Sequence, residues 1–352
     1  MSGSLLLQCT GLTCYTWLAD HWPRVSPMRR RKFIALLGSS AVAWPLAARA
    51  QATPVIGFVN IMSPESIPKW VTGFRQGLKE MGFVEGQNVA VEYRWAHGQY
   101  DRLPELVADL VRRKVTVLAA TGGDPSPQVA KAATQTIPIV FTANGDPVSN
   151  GLVASLNRPG GNATGITIFG AAAVTKRLQL LHELVPRADA IAYLMNPNNP
   201  NADIEMSAAR TAAISLGKEL LILRASSEGE IETAFGTMTQ QRRDALLVAS
   251  DTFFISRRDQ ITSLAARHRM PAIYYLREFS EAGGLITYGN VLPESYYQVG
   301  LYVGRIIKGE KPGDLPIQQA TKFELVINIK TAKALELAVP NSIQLLADDV
   351  LE

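Results

Sequence analysis

The sequence predicts an α/β fold of two Rossmann-like βα lobes joined by a three-segment hinge, and three observations point there. The first is a repeat. Residues 115–120 form an apolar run followed by Thr121-Gly122-Gly123-Asp124, a helix-length segment, a proline-opened run over 137–141, and Gly160-Gly161 before residues 162–167. Residues 245–249 form a second such run, followed by Ser250-Asp251-Thr252, a helix-length segment, a proline-opened run over 270–275, and Gly283-Gly284 before residues 285–290. The second observation is that these runs are apolar without alternation, as strands covered on both faces are. The third is their separation by helix-length segments, which calls for parallel pairing through right-handed crossovers.

Taken in order, residues 54–60 are the first strand. The helix after it carries Ile67, Trp70, Val71, Phe74, Leu78 and Met81 at three- and four-residue spacing, which reads as core, and Gly82 stands where a left-handed cap would close it. Residues 88–94 alternate Val89, Val91 and Tyr93 against Asn88, Ala90 and Glu92, the pattern of a half-exposed edge strand. The next helix shows Leu103, Leu106, Val107, Leu110 and Val111 on one face, with Pro104 tolerated in its first turn. Residues 163–167 are expected to cross to the second lobe.

That lobe should open with a helix over 172–184, Leu178 and Leu181 inward and Pro186 closing it. Strands are expected over 190–195, 219–223, 245–249 and 271–275, with helices over 202–217, 231–238 and 254–267 between them. Residues 285–288 are expected to return to the first lobe, where a helix over 296–308 ends at Gly309. A last strand over 323–329 and a short helix over 331–337 precede the tail. The expected lobes are therefore 54–164 plus 290–318, and 165–289 plus 319–352.

The charge distribution isolates the first 50 residues. The formal charge over 352 residues is +4, but this segment carries six bases and one acid, and without it 29 bases face 30 acids. The remaining chain gives no support to a nucleic-acid partner. Both cysteines, Cys9 and Cys14, also lie there, so disulfides and thiol chemistry are excluded from Gln51 onward. Arg29-Arg30-Arg31-Lys32-Phe33-Ile34, the apolar residues 35–47 and Ala48-Arg49-Ala50 form a basic region, an apolar region and a small-x-small cleavage site. The apolar stretch falls short of the roughly 20 residues that span a bilayer. Arg30-Arg31 fits a twin-arginine signal and a general secretory signal equally well. The signal is complete from Met28, which reads as the start; no cysteine follows the cleavage site to take a lipid anchor.

Several motifs together carry a family resemblance: Phe74-Arg75-Gln76-Gly77-Leu78, Gly82-Phe83-Val84-Glu85-Gly86-Gln87-Asn88, Glu92-Tyr93-Arg94-Trp95, Asp146-Pro147-Val148, Arg158-Pro159-Gly160-Gly161-Asn162, Asn196-Pro197, Arg277-Glu278-Phe279 and Lys322-Phe323-Glu324-Leu325-Val326-Ile327-Asn328. With them the chain resembles the ABC-transporter substrate-binding proteins of the type I periplasmic binding fold, similar to tryptophan- and tyrosine-type receptors. The resemblance implies a periplasmic receptor, acting as a monomer without inserting in the membrane. It would hand a small ligand, an amino acid or a small aromatic or carboxylate compound, to an inner-membrane permease. No cofactor is implied.

Ligands in such sheets bind beyond the carboxyl ends of the strands. The first lobe should then offer Ser63, Thr121, Gly122, Gly123 and Asp146, the second Asn196, Asn198, Ser250, Asp251, Thr252 and Tyr274, and the hinge Asn290. The glycines let backbone approach a carboxylate, with Thr121 adding a hydroxyl. Asp146 or Asp251 could meet an ammonium group, and Tyr274 or Phe253 an aromatic ring. Each also has an ordinary role open to it: Asp146, Asn196 and Asp251 as turn or helix caps, Tyr274 as core. Closure should bring Asp146 toward Asp251.

Two other readings stand beside uptake: a ligand-binding partner of a membrane sensor, and an exported α/β enzyme. The second has little to rest on. His97, His182 and His268 show no metal-ligand spacing, and neither a phosphate loop nor a nucleophile elbow is present.

Overall fold

The computed structural model describes residues 53–168 and 170–352; the expected leader and export signal over residues 1–50 lie outside the described residues. Its first lobe runs β1 (Val55–Asn60), α1 (Pro68–Glu80), β2 (Ala90–Trp95), α2 (Leu103–Arg112), β3 (Val117–Thr121), α3 (Pro125–Ala133), β4 (Ile139–Ala143) and β5 (Ala163–Thr167). These strands pair in the order β2-β1-β3-β4-β5, all parallel, with Gln318–Gln319 at the far edge. The sheet has two buried faces. Phe58 on one side packs with Phe74 of α1, while Val59 on the other joins Leu103, Val107 and Leu110 of α2. That explains the unbroken apolar runs.

The second lobe repeats the plan: α4 (Gly170–Leu184), β6 (Ala190–Met195), α5 (Ala202–Ser215), β7 (Glu219–Arg224), α6 (Glu228–Gln240), β8 (Ala245–Val248), α7 (Thr252–Ser256), α8 (Arg258–Arg267), β9 (Ala272–Tyr274), α9 (Arg277–Glu281) and β10 (Ile286–Asn290). The chain then returns through α10 (Leu292–Ile307) and β11 (Gln318–Gln319), and ends with β12 (Phe323–Asn328), α11 (Ile329–Ala334), α12 (Asn341–Leu346) and β13 (Asp349–Leu351). The order β7-β6-β8-β9-β10-β12-β13 begins as the first sheet does, and β12 runs antiparallel to β10. α10 lies against α1 at glycine contacts: a methyl at Gly77 would sit 2.1 Å from the Tyr297 carbonyl oxygen.

Both crossings fall later than the sequence suggests. β5 pairs with β4 along its whole length, and its hydroxyls stay with the first lobe, Thr164 Oγ1 donating to the Leu315 carbonyl at 2.7 Å and Thr167 Oγ1 to that of Gly145 at 2.9 Å. β10 belongs to the second sheet, parallel to β9, so the return begins at Val291. The tail is ordered as β13 beside β12, with the Leu325 amide donating to Asp348 at 2.8 Å and Arg277 paired to Asp349.

Candidate ligand-binding cleft

In both sheets the strand order reverses beside the first strand, between β1 and β3 and between β6 and β8, which opens a crevice at their carboxyl ends. In the first lobe, Asn60 closes β1. Its Nδ2 donates to Thr121 Oγ1 at 2.9 Å and to the Tyr296 hydroxyl at 2.8 Å, while its Oδ1 accepts from the Met62 amide at 2.8 Å. The loop after β3 then turns left-handed at Gly122 (φ 90°) and Gly123 (φ 101°). A Cβ on Gly122 would lie 2.7 Å from Asn60 Oδ1, so only glycine fits. One on Gly123 would lie 3.5 Å from Thr252 Cγ2 of the other lobe.

On the second lobe the loop after β8 carries Ser250, Asp251 and Thr252. Asp251 is buried and accepts from Asn196 Nδ2 (3.0 Å), the Phe253 amide (2.9 Å), Asn199 Nδ2 (2.8 Å) and the Tyr100 hydroxyl (2.9 Å). Burial pushes its carboxyl up to about 6, against the opposing effect of those donors. Beside it lies Arg177 of α4, a fully buried cation. Its Nη2 pairs with Glu205 Oε1 at 2.9 Å and donates to Ser250 Oγ at 2.9 Å, and its guanidinium lies 5.9 Å from the Tyr275 ring centroid. Among the described residues its Nε finds no hydrogen-bond partner. Glu205 also accepts from the Ser250 amide at 3.1 Å, so the ion pair holds the loop that carries Asp251.

The lobes are joined over this cleft by side chains from each. Tyr100 reaches Asp251 and, at 3.0 Å, Thr252. Asn201 Nδ2 donates to Asp124 at 2.6 Å, and the Trp70 indole donates to Glu278 at 2.6 Å. Burial raises the carboxyls of both Asp124 and Glu278. Trp70, Tyr275, Tyr288 and Tyr296 wall the space together with Ile168, Ile255, Leu276 and Leu292. Its polar lining comes from Thr142, Asn144, Arg177 and Ser250 with their neighbours.

Of the residues expected from sequence, Gly122, Gly123, Ser250, Asp251, Thr252 and Asn290 stand at this cleft. The other six stand elsewhere. Thr121 lies behind the cleft, its hydroxyl held by Asn60 and donating to the Val59 carbonyl. Ser63 opens a short turn and bonds Ser66 at 3.0 Å. Asp146 accepts from the Val148 amide and Ser149 within its own turn, while Asp124 is the first-lobe carboxylate that meets the second lobe, through Asn201. Asn196 is buried under Asp251, and Asn198 lines an outer groove with His97 and Tyr100. Tyr274 stacks on Phe279 in the second core, centroids 4.7 Å apart; its neighbour Tyr275 lines the cleft. Arg177, absent from the residues expected at the cleft, carries a signal of its own in the sequence: it interrupts the apolar stripe of Ala173, Val174, Leu178 and Leu181, where a solvated charge has no place.

The pattern described as "ABC transporter substrate binding protein" matches residues 55–351. This chain belongs to that family. A tyrosine-binding protein of Clostridioides difficile (strain R20291) is 27% identical over 282 residues, covering 80% of this chain and 81% of that one. A conserved domain protein of Vibrio cholerae superposes with a TM-score of 0.79 at 27% identity, covering 85% of this chain and 99% of its own. An ABC domain from Streptococcus pneumoniae in complex with L-Trp gives 0.78 at 23%, covering 85% and 100%, and shows the shared type I fold. The first of these is named for binding tyrosine, and the third holds L-Trp. Capture of a substrate is the family's role, and no helix among the described residues is long and apolar enough to cross a membrane.

Proposed function

We propose that this substrate-binding protein is the exported, non-catalytic receptor of an ABC uptake system, delivering a small ligand to an inner-membrane permease. The ligand is an amino acid or a small aromatic or carboxylate compound. It would be held by Gly122, Gly123 and Asn144 of the first lobe, by Arg177, Ser250 and Thr252 of the second, and by Asn290 at the hinge. Residues 53–167 with 291–319 form one moving body, and residues 170–290 with 320–352 the other. One observation carries the reading: two like sheets turn their switch points to the same aromatic-walled crevice, bridged by Tyr100–Asp251 and Asp124–Asn201. Export is supported by the signal-like residues 29–50, and the aromatic character by the tyrosine-binding relative.

The test is ligand-linked stabilisation. A true ligand at 100 times Kd raises stability by about 2.7 kcal/mol. A panel of amino acids, aromatic acids, sugars and nucleosides that leaves the melting temperature unmoved would refute the proposal.

A further inference from the structure

Resting on that ligand-capture reading, we infer that the cleft selects aromatic carboxylates lacking an α-ammonium group over the amino acids that carry the same ring. The ring is matched by the walls, which include the aromatic side chains Trp70, Tyr275, Tyr288 and Tyr296. The carboxylate is matched by Arg177, the one cationic side chain among the described lining residues. Its Nη1 and Nη2 are engaged by the Val248 carbonyl, Glu205 and Ser250, while its buried Nε–H has no partner. An unpaired buried donor calls for an acceptor, and a ligand oxygen supplies it.

An ammonium group finds no such match. Asp251 is the one acid among the described lining residues, and a carboxylate has about four acceptor sites. All four are filled by the protein: Oδ1 by Asn196 and the Phe253 amide, Oδ2 by Tyr100 and Asn199. Glu205 is turned to Arg177 and Ser250. An ammonium could reach Asp251 only by displacing Tyr100 or an asparagine, giving up a bond the carboxylate already accepts. Otherwise it is left to neutral amides and hydroxyls, and a cation buried without a counter-charge binds poorly.

The experiment is calorimetric titration of matched sets at pH 7.5. 3-Phenylpropanoate, 3-(4-hydroxyphenyl)propanoate and 3-(indol-3-yl)propanoate are each compared with L-phenylalanine, L-tyrosine and L-tryptophan, and with phenethylamine, tyramine and tryptamine. At least one acid is expected to bind tenfold or more tighter than its amino acid, about 1.4 kcal/mol, with no binding by its amine. An amino acid that equals or exceeds its acid, or an amine that binds, overturns the inference and leaves ligand capture standing. Silence from all nine overturns the inference, and silence from the wider panel above overturns ligand capture with it. Tyr100→Phe returns one acceptor site to Asp251, so the ratio of acid to amino-acid affinity should shrink severalfold; an unchanged ratio overturns the part assigned to Asp251.

Discussion

The hydroxyl of Tyr100, in the first lobe, donates to Asp251 of the second at 2.9 Å, directly over the cleft. The acceptor is a buried carboxylate whose other three bonds come from its own lobe. The first lobe therefore completes the solvation of a group that the second lobe alone leaves one donor short.

Removing that donor should open the protein. A hydrogen bond to a charged group contributes about 1.5–3 kcal/mol. Tyr100→Phe is expected to weaken binding of every ligand by roughly tenfold to a hundredfold, with the mean radius of gyration of the ligand-free protein rising in small-angle scattering. Unchanged affinity and scattering would show that Tyr100 takes no part in closure.

Asp251 should also leave a mark on the pH dependence of stability. Its carboxyl titrates at about 6 in the folded protein, above the ordinary value near 3.9. The folded state thus binds that proton more tightly. The resulting stabilisation is complete below about pH 4 and is lost as pH rises through about 6, a change of about 3 kcal/mol. Asn at this position cannot titrate. Urea titrations from pH 3 to 7 should show wild type losing nearly that much more than Asp251→Asn, and parallel curves would contradict the assignment.

Two glycines in helices make opposite predictions. Gly77→Ala drives a methyl against the Tyr297 carbonyl and should cost roughly 1–3 kcal/mol, because neither helix backbone can yield alone. Gly236→Ala, in α6, meets nothing within 4 Å and should gain about 0.5–1 kcal/mol from helix propensity. Thermal unfolding of the pair decides, and equal effects would remove the close α1–α10 contact as an explanation.

Trp70 and Trp95 are the two tryptophans among the described residues, and Trp70 lines the cleft. Ligand binding is expected to change the emission of the wild type and to leave that of Trp70→Phe nearly flat. The same variant leaves the half-buried Glu278 without its indole donor, at an expected cost of about 1 kcal/mol in the contact between the lobes. A full emission change in the variant would place the ligand away from Trp70.

Much of this was readable from the chain. Gly122, Gly123, Ser250, Asp251 and Thr252 follow the central strands, and strand-end position alone brings them to the cleft. Tyr274 and Tyr275 were not separable, because a three-residue strand without alternation does not say which ring faces inward. Nor could Thr121 and Asp146 be placed: both are polar loop residues, and only the partners they find, Asn60 for one and Ser149 for the other, tell support from site.

Periodicity and punctuation along the chain were enough to establish two like α/β lobes, since burying a strand on both faces and capping a helix are local demands on composition. Which side chains meet across the lobes was decided by the tertiary structure alone. Tyr100 and Asp251 are 151 residues apart, and Asp124 and Asn201 are 77. No local pattern encodes such a pairing, because the desolvation that makes a buried cation or carboxylate seek its partner exists only once both lobes have folded around it.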